Sequence, residues 1–259
     1  MGWFVSRLQI NQIHHLFSNP PNTRFSYIST RTDRGGRAVG PGVIEAFYAG
    51  LDTIEPSDYD YLCKLDLDLD LPEKYFEHLI ERMEADISIG SCSGKAYIKS
   101  KDGYVSERHG DDTSIRASKF YRTSVFLAIG GFVREVMWDG IDCHRCRMRG
   151  WKALSWDTAE LRFIHLRPMG SSQKGIWSGR KRHGFGQYFM GTSFIYLFAS
   201  AMLRLNEKPY FVGSVGMLWG WLSSALQGLP RYEDKEFRTF LRRKHPVIPS
   251  SSGAPSRYL

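Results

Sequence analysis

Residues Tyr59–Phe76 read YDYLCKLDLDLDLPEKYF, with three aspartates at alternate positions at the end of an apolar run. Successive side chains of a β-strand point to opposite faces, so the leucines are predicted to face a core while Asp66, Asp68 and Asp70 share the other face. Clustered carboxylates do not all stay ionised cheaply without a cation. Oxygen ligands suit Mg²⁺ or Mn²⁺, and an ion whose coordination the protein fills only in part is well placed to hold a diphosphate.

A second acidic segment, GGFVREVMWDGIDCHRCRMRGWKA, occupies Gly130–Ala153. Along the chain come a strand that ends in aspartates, a proline and a helix, further strands, a Gly-Gly-Phe turn, and an acidic pair before Arg-Gly-Trp. This order resembles that of the inverting family 2 glycosyltransferases of the GT-A fold, which move a sugar from a nucleotide diphosphate donor. A small-residue helix entry in Asp33–Gly50 and a histidine in FIHLR, Phe163–Arg167, add to the resemblance, which covers roughly Asp33 to Arg182.

The resemblance implies an α/β fold, a GT-A-like and Rossmann-like mixed sheet flanked by helices, with ligands at the carboxyl ends of the strands. The sequence pattern agrees with alternating elements. Helices are predicted to end near Leu51, to follow Pro72 and to start near Thr123. Strands are predicted near Ile87–Cys92 and Ala96–Ile98.

The family normally begins with a strand and a P-x-Y-N turn, and nothing before Asp33 matches them. Met1–Pro21 is instead predicted to form a short amphipathic helix that stops at Asn-Pro-Pro. The chain is therefore expected to lack the first part of the fold. A truncated gene product, a mis-called start and half of a split protein are the three explanations.

For the donor side, the resemblance implies roles for individual residues. Asp66 and Asp68 match the D-x-D pair, with the first near the donor ribose or the metal shell and the second ligating Mg²⁺ or Mn²⁺. His165 is a candidate metal ligand, with a purely structural histidine as the alternative. The basic cluster at 180–182 would neutralise the leaving diphosphate, or alternatively attract anionic lipid. The predicted donor-binding residues are Asp66, Arg37, Arg180 and Arg182.

For the acceptor side, Asp139 matches the aspartate of the family's E-D motif when Gly150 is matched to the glycine downstream, although Trp138 stands where the motif has glutamate. Asp139 would take the proton from the acceptor hydroxyl as it attacks the anomeric carbon. Asp142 is the competing candidate, and a structural salt bridge to a nearby arginine is the alternative for either. Trp138 and Trp151 are predicted to stack on acceptor sugars, with burial in the core as the other interpretation.

Composition narrows the class of protein. A chain of 259 residues with a net charge of +8 and a pI of about 9.3 suits nucleic acid, an anionic membrane or phosphorylated substrates. No RNA-binding signature or Cys/His finger spacing is present, so nucleic acid is not predicted as a partner. The four cysteines lack the spacing of a structural zinc site and indicate a reducing, cytosolic environment.

The C-terminal part differs in character, because Gly184–Leu203 and Pro209–Pro230 contain no charged residue. About 20 apolar residues suffice to span a bilayer. Both segments also contain Gly, Ser, Thr and Gln, so helices that lie in the membrane interface and a soluble helical pair remain alternatives. The predicted domains are a partial GT-A-like domain at 1–182, apolar membrane-associated helices at 183–232, and a basic helix with a flexible tail at 233–259.

Together these patterns predict a metal-dependent, hexosyltransferase-type enzyme of polysaccharide or glycolipid synthesis. The expected donor is a UDP- or GDP-sugar, and the expected acceptor is a saccharide or a lipid-linked sugar. The predicted location is the cytoplasmic side of a membrane, with peripheral or integral attachment. The alternative is a non-catalytic glycosyltransferase-like binding or scaffold protein, which a truncated or split fold would suit.

Overall fold

In a computed structural model of the chain, residues 2–5, 41–101, 103–107, 109–166, 175–203, 205 and 210–244 are described. The chain divides into two compact units, Met1–Met169 with Tyr258–Leu259, and Gly170–Arg257. The predicted boundary at residue 182 falls inside a helix of the second unit that covers Gly175–Met190.

Both units are built from short elements. The strands are β1 (Gly2–Val5), β2 (Tyr61–Leu65), β3 (Leu69–Asp70), β4 (Ile89–Gly94), β5 (Ala96–Ser100), β6 (Gly103–Ser106), β7 (Ser118–Arg122), β8 (Lys152–Trp156) and β9 (Phe163–His165). The helices are α1 (Pro41–Leu51), α2 (Tyr75–Ala85), α3 (Thr123–Ala128), α4 (Trp138–Met148), α5 (Gly175–Met190), α6 (Phe194–Leu203), α7 (Tyr210–Leu226) and α8 (Lys235–Lys244). The helices expected to end near Leu51, to follow Pro72 and to start near Thr123 are all present.

The first unit contains two mixed sheets. The five-stranded sheet has the order β1-β2-β7-β4-β8, and β7 is antiparallel to both of its neighbours while the other four strands run in one direction. The four-stranded sheet has the order β3-β9-β5-β6, with β9 parallel to β5. The predicted fold class, a mixed α/β sheet flanked by helices, is confirmed.

The five-stranded sheet has a core on each face. Leu62 and Cys63 are adjacent in β2 and point to opposite faces, as alternation along a strand requires. On the Leu62 face pack α1, α3 and α4. On the Cys63 face pack α2 and residues of the second sheet, including Leu69 and Phe163. The sheet is thus covered on both faces.

The first strand corrects one prediction. Gly2–Val5 is not helical but pairs parallel with β2, with Gly2 opposite Leu62 and Val5 opposite Leu65. Trp, Phe and Val all favour strands, and the edge of β2 offers unpaired backbone groups. Residues 6–40, which include the rest of the predicted helix, lie outside the described residues.

The segment with the three alternating aspartates, Asp66, Asp68 and Asp70, corrects a second prediction. The strand β2 ends at Leu65, and the amide of Asp66 donates to the carbonyl of Ala117 at 2.7 Å. The chain then leaves the first sheet, and β3 joins the second one with Leu69 opposite His165. The prediction that three carboxylates share one strand face is therefore wrong, because the alternating pattern is divided between two sheets.

The Gly-Gly-Phe turn has a steric basis. Gly130 and Gly131 have φ of +75° and +66°, in the left-handed region that favours glycine. A Cβ atom on Gly131 would lie 2.5 Å from the hydroxyl oxygen of Tyr48, and that hydroxyl donates to the carbonyl of Phe132 at 2.8 Å. The turn buries Phe132 in the core and leads the chain towards α4.

In the second unit, α5 packs closely on α7, and α6 packs on α7 as well. Among the described residues, no helix has both the length and the apolar character that crossing a bilayer requires. The prediction that Gly184–Leu203 or Pro209–Pro230 spans a membrane is not supported.

Candidate functional site

The candidate site lies at one edge of the five-stranded sheet. Since β2, β4 and β8 run in the same direction, their carboxyl ends meet at this edge, where ligands of α/β sheets commonly bind. The antiparallel strand β7 begins at the same edge with Ser118. The N-terminal turn of α4 also lies here, because Lys119 Nζ donates to the carbonyl of Asp139 at 2.9 Å.

The two predicted metal ligands lie next to each other, Asp68 in the segment between β2 and β3 and His165 at the end of β9 in the second sheet. The Nε2 atom of His165 is 3.8 Å from Oδ1 of Asp68, and the Nδ1 atom is 3.2 Å from Oε2 of Glu107. The three side chains are only 6%, 13% and 8% exposed, respectively. The backbone holds them as well, since the amide of Leu166 donates to the carbonyl of Asp68 at 2.9 Å.

The carboxylates of Asp68 and Glu107 on either side of His165 favour a positive charge on or near its imidazole ring. Burial lowers the pKa of His165, but the carboxylates of Asp68 and Glu107 outweigh burial and raise the pKa to about 9. Without a metal, the ring is therefore protonated at neutral pH and lies between two anions. A divalent cation would take the place of this proton.

Asp68 and His165 suit two of the ligand positions of a divalent cation, with Glu107 on the far side of the histidine ring. A separation of 3.8 Å is too long for a hydrogen bond, but two atoms that far apart can ligate one ion through bonds of about 2.1 Å each. Glu107 stands where metal-bound histidines usually have a carboxylate on their other nitrogen. The described residues contain no group of three His, Cys, Asp or Glu side chains placed to hold a metal, so substrate oxygens would have to complete the shell.

Asp66 is held in a different way. The buried ammonium of Lys64 donates to the carboxylate of Asp66 and, at 3.1 Å, to the carbonyl of Arg116. The carboxylate is 27% exposed, so it can also face a ligand. Its predicted role towards the donor stays a prediction.

Asp139 lies in the first turn of α4 and is half-buried. Its charge acts on both His109 and Lys119. Met137, just before the helix, has φ of 60° and ψ of 20°, a left-handed conformation that is rare for a residue with a side chain. Backbone strain of this kind is concentrated at functional sites, and here it sets the start of the helix that carries Asp139.

Asp142 is buried with Lys119. The Nζ atom of Lys119 is 2.5 Å from Oδ2 of Asp142, and the hydroxyl of Tyr121 donates to the same oxygen. Burial lowers the pKa of Lys119, but the charge of Asp142 outweighs burial and raises it, so the lysine stays charged. Burial raises the pKa of Asp142, and the charge of Lys119 opposes this shift. Both side chains are inaccessible to solvent. This position suits a structural ion pair better than contact with an acceptor.

The two tryptophans predicted to bind the acceptor both pack in the core. Trp138 is 3% exposed and lies edge-on to Phe132, with ring centroids 4.9 Å apart. The ammonium groups of Lys64 and Lys119 lie 5.5 Å and 5.9 Å from its ring centre. Trp151 is partly buried against the same core. These contacts favour the core interpretation that the sequence left open.

Sequence reasoning missed Glu107 and His109. Burial lowers the pKa of His109 to about 4, although the charges of Glu107 and Asp139 oppose this shift, so the ring is neutral. Its Nδ1 atom is buried and has no hydrogen-bond partner among the described residues. The available signal was a segment in which five of six residues are ionisable, Glu-Arg-His-Gly-Asp-Asp, directly after a strand. Glu107 contacts His165, and the charges of both Glu107 and Asp139 act on His109. His109 therefore lies close to both the predicted metal ligands and the predicted base.

The remaining predicted donor contacts lie elsewhere in the chain. Arg37 lies outside the described residues. Arg180 and Arg182 belong to α5 in the second unit. Their roles towards a diphosphate stay predictions.

The raised pKa of His165 leads to a testable pH dependence. Its folded-state pKa of about 9 exceeds the ordinary value of 6.5, so the stabilisation it provides is complete below pH 6.5 and is lost as the pH rises through about 9. In buffer with a chelator, the difference in free energy of unfolding between wild type and His165→Gln should shrink over this range. Urea denaturation at a series of pH values measures it. A difference that does not change with pH would contradict the ionised arrangement of Asp68, His165 and Glu107.

Comparison with known proteins shows a similarity of structure but none of sequence. No protein-family model matches the chain, and no curated protein sequence matches it. The structure is similar to that of the mannosyltransferase PcManGT from Pyrobaculum calidifontis in complex with GDP-Man and Mn²⁺, at 14% identity and a TM-score of 0.40. It is also similar to that of GalNAc-T7 with UDP, GalNAc and Mn²⁺, at 11% identity and a TM-score of 0.41.

These matches cover 81% and 80% of the present chain but only 64% and 45% of the two known chains. The protein thus spans less than two thirds of the length of either. TM-scores near 0.4 describe a partial likeness of fold.

Proposed function

We propose that the protein is a metal-dependent, inverting glycosyltransferase of GT-A type. It would transfer a sugar from a nucleotide diphosphate donor to a hydroxyl acceptor, and Asp68, His165 and Asp139 would belong to its active site. The donor would be a UDP- or GDP-sugar. The acceptor would be a saccharide or a lipid-linked sugar in polysaccharide or glycolipid synthesis.

The observation that carries the proposal is the contact between Asp68, His165 and Glu107. Asp68 and His165 are almost 100 residues apart in sequence, at positions 68 and 165, yet an oxygen of one faces a nitrogen of the other. Glu107 fixes the ring from the other side at 3.2 Å. A carboxylate and an imidazole are ligands that Mn²⁺ accepts, and few protein ligands leave room for diphosphate oxygens.

In this proposal Asp68 and His165 would hold Mg²⁺ or Mn²⁺, which supplies positive charge for the departing diphosphate. Glu107 accepts a hydrogen bond from Nδ1 of His165, so that Nε2 points away from it and towards Asp68. The Lys64 ammonium keeps Asp66 beside this position and limits the build-up of negative charge. These residues orient the donor and do not enter the chemistry of the sugar.

The acceptor hydroxyl would be activated by Asp139. A carboxylate that removes this proton lets the oxygen attack the anomeric carbon from the face opposite the leaving group, which inverts the configuration. Lys119 holds the backbone of Asp139 through a bond of 2.9 Å to its carbonyl oxygen. Because Lys119 is itself paired with Asp142, the first turn of α4 is fixed from inside the protein.

The metal ligands can be tested by binding. Asp68→Ala should abolish metal-dependent binding of a nucleoside diphosphate. Glu107→Gln should weaken Mn²⁺ binding by about 10- to 100-fold, since outer-shell partners of metal-bound histidine typically have this effect. Isothermal titration calorimetry with Mn²⁺, and with UDP or GDP in its presence, measures both.

Asp70→Ala provides the matched control, because Asp70 is exposed, lies two positions further along and carries the same charge. It should bind like wild type. Asp68→Ala protein that melts like wild type and binds the nucleotide with unchanged affinity would remove Asp68 from the site.

One observation favours a second candidate, a non-catalytic glycosyltransferase-like binding or scaffold protein. Among the described residues, no group of three His, Cys, Asp or Glu side chains is placed to hold a metal. The coordination of a metal would therefore depend strongly on oxygens of the bound nucleotide. A nucleotide-sugar turnover assay separates the two functions. Binding of UDP or GDP without transfer, and without hydrolysis of any UDP- or GDP-sugar in a panel of donors, would favour the scaffold.

A further inference from the structure

The helices α6 and α7 of the second unit expose large apolar side chains. On α7 the exposed residues follow one another at spacings of three and four and so form one stripe along the helix: Val212, Val215, Trp219, Leu222 and Leu226. On α6 the exposed residues Ile195, Phe198 and Met202 have the same spacing. A helix of a soluble domain normally turns such a stripe towards the core, and a contiguous exposed apolar face marks an interaction surface.

The inward-facing side of α7 has the opposite character. A Cβ atom on Gly220 would lie 2.0 Å from the carbonyl oxygen of Lys181, and one on Gly184 would lie 1.9 Å from that of Met217. The backbones of α5 and α7 therefore touch, and Gly216 and Gly220 have the Gly-x-x-x-Gly spacing. Small residues between helices and large apolar ones outside are the arrangement of helices packed in lipid.

The charge of this region favours an anionic partner. Residues 170–257 contain 13 Lys or Arg and 4 Asp or Glu, whereas the whole chain has a net charge of +8. The excess positive charge of the protein thus lies entirely in this part of the sequence. Five of these basic residues have exposed side chains among the described residues of α5 and α8: Lys181, Arg182, Lys235, Arg242 and Arg243. Anionic headgroups attract such side chains, whereas a second copy of the unit would bring like charges together.

We propose that the exposed face of α6 and α7 docks into one leaflet of an anionic membrane, with the two helices lying in the interface. The 17 residues of α7 make a helix of about 25 Å, shorter than the roughly 30 Å hydrocarbon core. An apolar face that enters the headgroup and acyl boundary, aided by nearby basic residues, is how interfacial helices bind. This inference rests on the second unit alone and is independent of the proposed transferase activity.

Co-sedimentation of the purified full chain with vesicles tests the proposal. The protein should bind vesicles of phosphatidylcholine and phosphatidylglycerol, and bind phosphatidylcholine alone more weakly. Phe198→Ser combined with Trp219→Ser should weaken binding at least about tenfold, because two large apolar side chains no longer leave water. Ile87→Ser is the matched control, since Ile87, at 79%, is the most exposed large apolar side chain among the described residues of the first unit, and its replacement should change nothing.

The basic residues can be tested separately. Arg242→Gln combined with Arg243→Gln should weaken binding to the anionic vesicles about tenfold or more and leave binding to phosphatidylcholine unchanged. In a chain that is otherwise wild type, an environment-sensitive fluorophore on Val215→Cys should shift its emission to the blue on vesicles, while one on Ile87→Cys should not. This measurement does not depend on how well the serine variant folds.

Two outcomes would overturn the proposal. The first is equal binding of the wild type and the Phe198→Ser, Trp219→Ser variant to anionic vesicles, with no emission shift at position 215. The second is wild-type protein that stays in the supernatant and forms a dimer that this pair of substitutions dissociates. The face would then be an interface between copies of the chain.

Discussion

Asp139→Asn is expected to lower the rate of sugar transfer by at least about 10²-fold, since a general base typically contributes 10² to 10⁴. The amide has nearly the shape of the carboxylate but does not accept the proton of the acceptor hydroxyl. Donor affinity should change little, because in the proposed function the donor is held by Asp68 and His165. Turnover of a nucleotide sugar under saturating donor, together with donor binding by calorimetry, separates the two effects.

The stability of this variant should remain close to that of wild type. Lys119 contacts the backbone carbonyl of Asp139, and that carbonyl is unchanged by the substitution. Asp52→Asn is the matched control, because it makes the same chemical change at an exposed aspartate after α1. If Asp139→Asn retained full turnover while Asp142→Asn protein shown to be folded by circular dichroism lost it, the base would have to be assigned to Asp142.

Much of the secondary structure could be predicted because its signals are local. The helix that starts at Thr123, the turn at Gly130 and Gly131, and the helix after Pro72 follow from residue types within a few positions of one another. The start of that last helix was less predictable. It begins at Tyr75, after Lys74 adopts a left-handed conformation with φ of 57°.

The aspartate run shows where a local pattern becomes ambiguous. Alternation of Leu and Asp describes one long strand and two short strands in different sheets equally well. Which of the two forms depends on partners far away in the sequence, namely Ser118 opposite Leu65 and His165 opposite Leu69. The pairing of Asp68 with His165 was predicted as a shared role in metal binding, on the strength of a family resemblance.

The parts of the candidate site that sequence did not disclose are those made by contacts between distant residues. Glu107 is 58 residues from His165, and nothing in the sequence around Glu107 shows that the two meet. The sequence likewise does not show which of Asp139 and Asp142 is buried. Both lie in the first two turns of α4, and only the packing of Lys119 under the helix shows that Asp142 points inward.

Asp142→Asn is expected to lower the free energy of unfolding by about 3 to 5 kcal/mol, because removing one partner of a buried ion pair leaves the other charge uncompensated. Lys119 is fully buried, so its ammonium would lose its ionic partner with no access to water. Tyr121, whose hydroxyl donates to Asp142, would keep at best a weaker acceptor. Urea denaturation followed by circular dichroism measures the loss.

A combined variant distinguishes the loss of the ion pair from loss of packing. Lys119→Met, Tyr121→Phe and Asp142→Leu together remove all three polar groups at similar volume, and replacing a buried ion pair in this way is often neutral or stabilising. The combined variant should recover at least about half of the stability lost in Asp142→Asn. If Asp142→Asn were as stable as wild type, the buried pair with Lys119 would not contribute to the fold, and Asp142 would again be available as a candidate base.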